Sequence, residues 1–296
     1  MVYCSAGFNK FIVTLDKKVH RCWALANVPN QFISMIDDFD IKKHIIIRDC
    51  KYESLCKHCD QINNVRSLAN PSRIKPVKNP IFQIFVTRAC YNFCPYCSQS
   101  DLTKKNKFQI YEFPMQDIIS FLNKIGPIDP FVEIIGGEPF LRKDLYQIFE
   151  TEPKYFMAFS SLMYQEQLEK VLKSVQKNKK ILQMLSTIHL HSEGFNWDVF
   201  WESVEMISKF RCCPRHVLTI LDYNINQEIY EKIRRKSSAY KNVHLKLDAV
   251  ALSMVGKQIN KKLVNQFTNK NFKEKYFQER KTFKEITIKN KKFTKI

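Results

Sequence analysis

From residue 81 to residue 252 short apolar runs alternate with helix-like stretches, and no other feature limits the fold as strongly. The apolar runs occupy 81–86, 131–135, 155–159, 181–190, 217–221 and 243–252, each of strand length. Between them Met115–Lys124, Lys143–Glu150, Gln165–Lys177, Trp197–Phe210 and Gln227–Lys236 read as helices. Pro114 suits the first turn of the first of these. Strands joined through helices pair in parallel with right-handed crossovers, so an α/β fold on a six-stranded parallel sheet is predicted. In such folds the loops after the C-terminal strand ends gather at one face and build the site.

Four of those loops carry chemistry. The first strand runs into Cys90, Cys94 and Cys97, with Pro95 arguing against a helix through them. Their thiolates are soft ligands suited to zinc, copper(I) or an iron–sulfur cluster. Three ligands on a four-iron cube leave one iron open, which marks reactivity more than structure. The second strand ends in Gly136-Gly137-Glu138-Pro139, the third in Ser160-Ser161, and the fourth in His189-Leu190-His191-Ser192-Glu193. His189, His191 and Glu193 are candidate substrate-binding or acid–base groups, against the ordinary alternative of a hydrogen-bonded strand-end histidine. No residue is assigned a catalytic role.

Cys90-x3-Cys94-x2-Cys97, with aromatic Tyr96 before the third cysteine, resembles the cluster loop of the radical S-adenosylmethionine (radical SAM) enzymes. The strand-borne Gly-Gly-Glu-Pro turn is similar to that family's second motif, and the likeness covers roughly residues 81–252. It implies a partial (β/α)6 TIM-like barrel, a [4Fe–4S] cluster on Cys90, Cys94 and Cys97, and S-adenosylmethionine (SAM) chelated to the open iron. Gly136 and Gly137 would then let backbone approach the methionine end, and Glu138 would accept from its ammonium. Ser160 and Ser161 would meet the carboxylate or ribose, Tyr96 would pack near the adenine, and His189 joins the cofactor-binding set. Reductive cleavage would give methionine and a 5′-deoxyadenosyl radical that removes hydrogen from a substrate.

Residues 1–66 read as a small separate module and 67–80, with three prolines, as a linker. Two apolar runs around Asp16-Lys17-Lys18 predict a β-hairpin, with Cys22 on or just after its second strand. Phe32–Ile47 gives no clear period. Cys4, Cys22, Cys56 and Cys59 make a four-thiolate set with Cys50 spare; by spacing alone a zinc ribbon is a fair reading. His58, between the last two, reads as solvent-facing. The pattern also resembles the Twitch/SPASM modules of radical SAM enzymes, which implies an auxiliary [4Fe–4S] cluster. It departs from them by preceding the core and by holding five cysteines.

The chain has 296 residues and a formal net charge of +19, much of the excess lying in the extension 256–296. That charge reads as a solvated basic surface, with nucleic acid the less favoured partner. Thr282–Ile288 in the extension reads as a strand or as part of a disordered tail. No signal peptide follows Met1 and no run reaches the roughly 18 apolar residues of a membrane helix, so a soluble, cytoplasmic protein is expected. In such a chain ten cysteines favour metal over disulfides; the adjacent Cys212 and Cys213 read as core or incidental. The resemblance implies an enzyme of oxidoreductase or maturase type acting on an unidentified peptide, sugar or small metabolite, with an electron donor such as flavodoxin or ferredoxin. A radical SAM enzyme acting on RNA, and a non-catalytic iron–sulfur or zinc protein, are the alternatives.

Overall fold

The computed structural model describes residues 3–4, 10–22, 26, 30–44, 48–49, 79–92, 112–189, 195–220 and 227–247. Met1–Asp248 form one compact unit; the second, Ala249–Ile296, lies outside the described residues, as do the expected strand at 282–288 and the linker up to Lys78.

Six strands follow one another across the sheet: β6 (Ile81–Phe85), β7 (Phe131–Ile135), β8 (Tyr155–Ser160), β9 (Ile181–Ile188), β10 (Arg215–Ile220) and β11 (Val243–Leu247). All five pairings among them are parallel. The connections hold α2 (Met115–Ile125), α3 (Gln165–Lys177), α4 (Trp197–Lys209) and α5 (Gln227–Ser237); the short α1 (Ile41–His44) lies further upstream. Between β7 and β8 the expected helix over 143–150 is instead a 3-10 run, Leu145–Glu150. Leu145, Ile148 and Phe149 still bury its inner side, because spacings of three and four serve both helix types in so short a piece.

Sequential strand order with right-handed crossovers puts every helix on the same face of the sheet. Burial follows this rule. In register, Phe82, Val132, Phe156 and Leu182 form one buried row, and Ile84, Ile134, Ala158, Met184 and His216 the next. The opposite face carries Gln83, Glu133, Met157, Gln183 and Arg215 in a row, with Lys10 ion-paired to Glu133 at 3.2 Å. The pair is close but not aligned as a hydrogen bond, since Glu133 Oε2 has no hydrogen-bond partner. On β8 and β9 burial alternates residue by residue, the side chains of the helix-free face being the more exposed.

The hairpin is present, as β2 (Lys10–Val13) and β3 (Lys18–His20), with Lys17 at a φ of 61° in its turn. It does not stand apart as a separate module. β2 pairs in parallel with β6, and β3 continues antiparallel to β4 (Ser34–Met35), extending the sheet to nine strands among the described residues. The cause is aromatic packing: Phe11 stacks on Phe82 at 5.0 Å, and Phe39 and Phe121 meet the Phe82 ring edge-on, each at 5.8 Å. All four rings are buried, so separating the hairpin would expose a shared core. β1 (Tyr3–Cys4) pairs antiparallel with β5 (Arg48–Asp49) in a second small sheet. Among the described residues no helix is long and apolar enough to cross a membrane.

His216 lies fully buried on the helix-covered face, its Nε2 2.9 Å from Ser186 Oγ and its Nδ1 without a partner among the described residues. Burial, and then His244, push its pKa down to about 3. The unfolded chain takes up this proton near pH 6.5 and the folded chain does not, so stability is lost as pH falls from about 6.5 toward 3. Urea unfolding at pH 5 against pH 7 is expected to show His216 alone costing about 2 kcal/mol. His216→Asn should remove that part of the pH dependence.

Candidate functional site at the C-terminal strand ends

The two motif turns meet directly. Val86 N–H donates to Ile135 O at 2.9 Å, Gly137 N–H to Thr87 O at 2.8 Å and Glu138 N–H to Ala89 O at 2.7 Å. The three bonds carry the β6–β7 ladder past the strand ends, up to the residue before Cys90. A Cβ on Gly136 would lie 2.5 Å from Thr87 O, and one on Gly137 2.3 Å from Ala89 O and 2.7 Å from Arg88 O. Only glycine lets the two backbones approach this closely. The Cys90 thiol, half-buried, donates to Asn92 O at 3.7 Å. Downstream the chain returns to the same place, Glu112 bridging Thr87 and Phe113 N–H donating to Val86 O at 3.1 Å.

Glu138 is buried, 2% exposed, and its carboxylate accepts four hydrogen bonds. Oε1 receives Phe140 N–H at 3.2 Å and Ser160 Oγ at 3.0 Å; Oε2 receives Ser161 N–H and Ser161 Oγ, both at 2.6 Å. These fill about the four lone-pair positions of a carboxylate. Burial raises its pKa, while the bonds from Ser161, Phe140 and Ser160 act the other way. The sequence placed Ser160 and Ser161 on a ligand; in this structure both hydroxyls donate to Glu138. Gly136, Gly137, Glu138, Ser160 and Ser161 are thus brought together with Cys90. His189, 8% exposed, ends the next strand with its ring 6.5 Å from Phe195.

Three further residues belong to this rim. Tyr164 caps α3 and is half-buried; burial raises its pKa most, followed by charge at Glu138, Cys90 and Tyr91, so it stays a neutral phenol. Arg142, 3% exposed, donates to Val86 O at 2.8 Å and Phe113 O at 2.5 Å, and grips Asp144 through two bonds. It ties the end of β6, the returning chain and the segment after the glycines into one unit. Its guanidinium holds the Asp144 carboxyl below the usual range. Leu162 sits at a φ of 63°, a conformation costly for a branched side chain. Only the Arg142-x-Asp144 spacing could have been noticed in sequence.

The remaining expected ligands are not described at this site. Cys94, Cys97 and Tyr96 lie outside the described residues, as do Cys50, Cys56, His58, Cys59, His191 and Glu193. Cys22 follows β3 by two residues and is half-buried; Cys4 lies in β1, paired with Arg48, its side chain outside the description. Among the described residues no three His, Cys, Asp or Glu side chains gather as a metal group. The space a side chain would take at Gly136 and Gly137 is filled by the backbone of Thr87, Arg88 and Ala89, so the pair packs the two turns together near Cys90, where the sequence expected it to face a ligand. No protein-family model matches this chain, and the search of curated proteins returns no significant match.

Proposed function

We propose that the chain is a radical SAM enzyme whose parallel strands curl into a partial barrel and whose site occupies their C-terminal ends. The observation that carries this reading is the hydrogen-bonded seam between Thr87–Ala89 and Gly137–Glu138, which holds the Gly-Gly-Glu-Pro turn against the residues that lead into Cys90. Cys90, Cys94 and Cys97 would hold a four-iron cluster, and SAM would take its open position. When bound and reduced by an external one-electron donor, that pair would supply the 5′-deoxyadenosyl radical.

The chain's own residues do the rest. Gly136 and Gly137 let the turn close on Thr87–Ala89 and so fix the start of the cysteine loop. Glu138 would offer its charge to the SAM ammonium while keeping the serine bonds. Tyr164, kept protonated by its burial, adds no charge at this rim. His189 and Thr187, at the end of β9, would meet the substrate, a peptide or small metabolite. The N-terminal cysteines Cys4, Cys22, Cys56 and Cys59 would hold an auxiliary cluster.

Replacing Cys90, Cys94 and Cys97 together by alanine tests the division of the cysteines. After anaerobic reconstitution the variant is expected to lose about half the iron and to keep the iron of the N-terminal set. Unchanged iron would show that the three cysteines hold no cluster. Zinc in place of iron in the wild type would favour a structural metal protein.

A further inference from the structure

Ser160 and Ser161 hold their hydroxyl protons on Glu138, at 3.0 and 2.6 Å. A hydroxyl has one proton to donate. A ligand carboxylate, which needs donors, therefore finds none left on either serine. Ser160 Oγ has a second duty: it accepts Leu162 N–H at 2.9 Å. Leu162 is held at its other end too, its carbonyl accepting Ser203 Oγ at 2.9 Å. Ser203 lies on α4 and is fully buried. A helical serine ordinarily bonds to a carbonyl of its own helix, whereas this one reaches across to the loop after β8. The left-handed backbone at Leu162 persists because both its N–H and its carbonyl are fixed. A continuous path thus runs from α4 through Leu162 and Ser160 to Oε1 of Glu138.

We infer that Ser160, Leu162 and Ser203 are positioning residues that act on a bound ligand only through the Glu138 carboxylate. The ligand-facing part rests on the reading of Glu138 as acceptor for the SAM ammonium; the relay itself does not.

Two measurements on the full chain separate these parts. The first needs no ligand. Urea titrations of Ser203→Ala, Ser160→Ala, Glu138→Gln and the two double variants with Glu138→Gln give folding equilibrium constants. Each double variant is expected to depart from the product of its single variants by about threefold or more, as for residues in one network. Multiplicative effects would overturn the relay. Ser203→Ala removes one neutral hydrogen bond two steps from Glu138, so it remains informative if Ser160→Ala folds poorly.

The second measurement uses anaerobically reconstituted protein and two probes, SAM and 5′-methylthioadenosine, which lacks the amino-acid end. Ser160→Ala and Ser203→Ala are expected to weaken SAM about tenfold and leave 5′-methylthioadenosine within about twofold, a loss on the scale of one charge-assisted bond. Equal weakening of both probes by Ser160→Ala would place that serine on the nucleoside and overturn the inference. Wild-type protein that binds neither probe, with the folding coupling intact, would sink the SAM reading and leave the relay standing.

Discussion

Gly137→Ala is expected to cost about 3 kcal/mol of folding stability and to abolish ligand binding at the strand ends. The added Cβ would sit 2.3 Å from Ala89 O and 2.7 Å from Arg88 O, both backbone atoms with no rotamer to change. Relief demands that the Thr87–Ala89 segment move away from Gly137. That breaks the 2.8 Å bond from Gly137 N–H to Thr87 O and the 2.7 Å bond from Glu138 N–H to Ala89 O. Cys90 follows at once in the chain, so its thiol shifts with the seam. Denaturant unfolding and SAM titration together check the prediction. A variant as stable as wild type and with the same affinity would show that the close approach is dispensable.

Glu138→Leu is expected to cost about 3–5 kcal/mol, the largest loss at a single side chain of the site. It strands four buried donors at once: Phe140 N–H, Ser161 N–H and the two serine hydroxyls. Adding Ser160→Ala and Ser161→Ala to the variant should recover part of the loss, because two of the stranded donors then disappear. The direction with pH follows from burial, which raises the Glu138 pKa. Its contribution is greatest below the ordinary carboxylate value of 4.5 and declines as pH rises toward the folded value. The stability gap between wild type and Glu138→Leu should therefore widen on acidification toward pH 4.5, measured by urea unfolding across that range. A gap that narrows would mean the native carboxyl is held ionised.

The strands of the parallel sheet were legible because each is a short apolar run between turn-formers, and burial against the helices demands that pattern. The helices at 115–125, 165–177, 197–209 and 227–237 were legible for the same reason. What was not legible depends on partners distant in sequence. The two strands of the hairpin could be read, but not its place beside β6, which rests on Phe11 meeting Phe82 across 70 intervening residues. The glycine pair and Cys90 could be read because their spacing is distinctive. The use of Ser160 and Ser161 could not, since only the folded chain aims both hydroxyls at Glu138. Arg142 and Tyr164 sit among ordinary loop residues, and no local pattern signals that one bonds two buried carbonyls or that burial holds the other neutral. The left-handed Leu162 is the clearest case. Its residue type argues against the conformation it adopts, and only the bonds to Ser160 and Ser203 explain it.

The central claim is that Cys90, Cys94 and Cys97 hold a cluster with one iron left for SAM. Its most direct test is anaerobic incubation of the iron–sulfur-reconstituted full chain with SAM and dithionite, with 5′-deoxyadenosine and methionine quantified. Equimolar release of both, lost on replacing any of the three cysteines by alanine, is the predicted result. Iron-loaded protein that releases neither would contradict it.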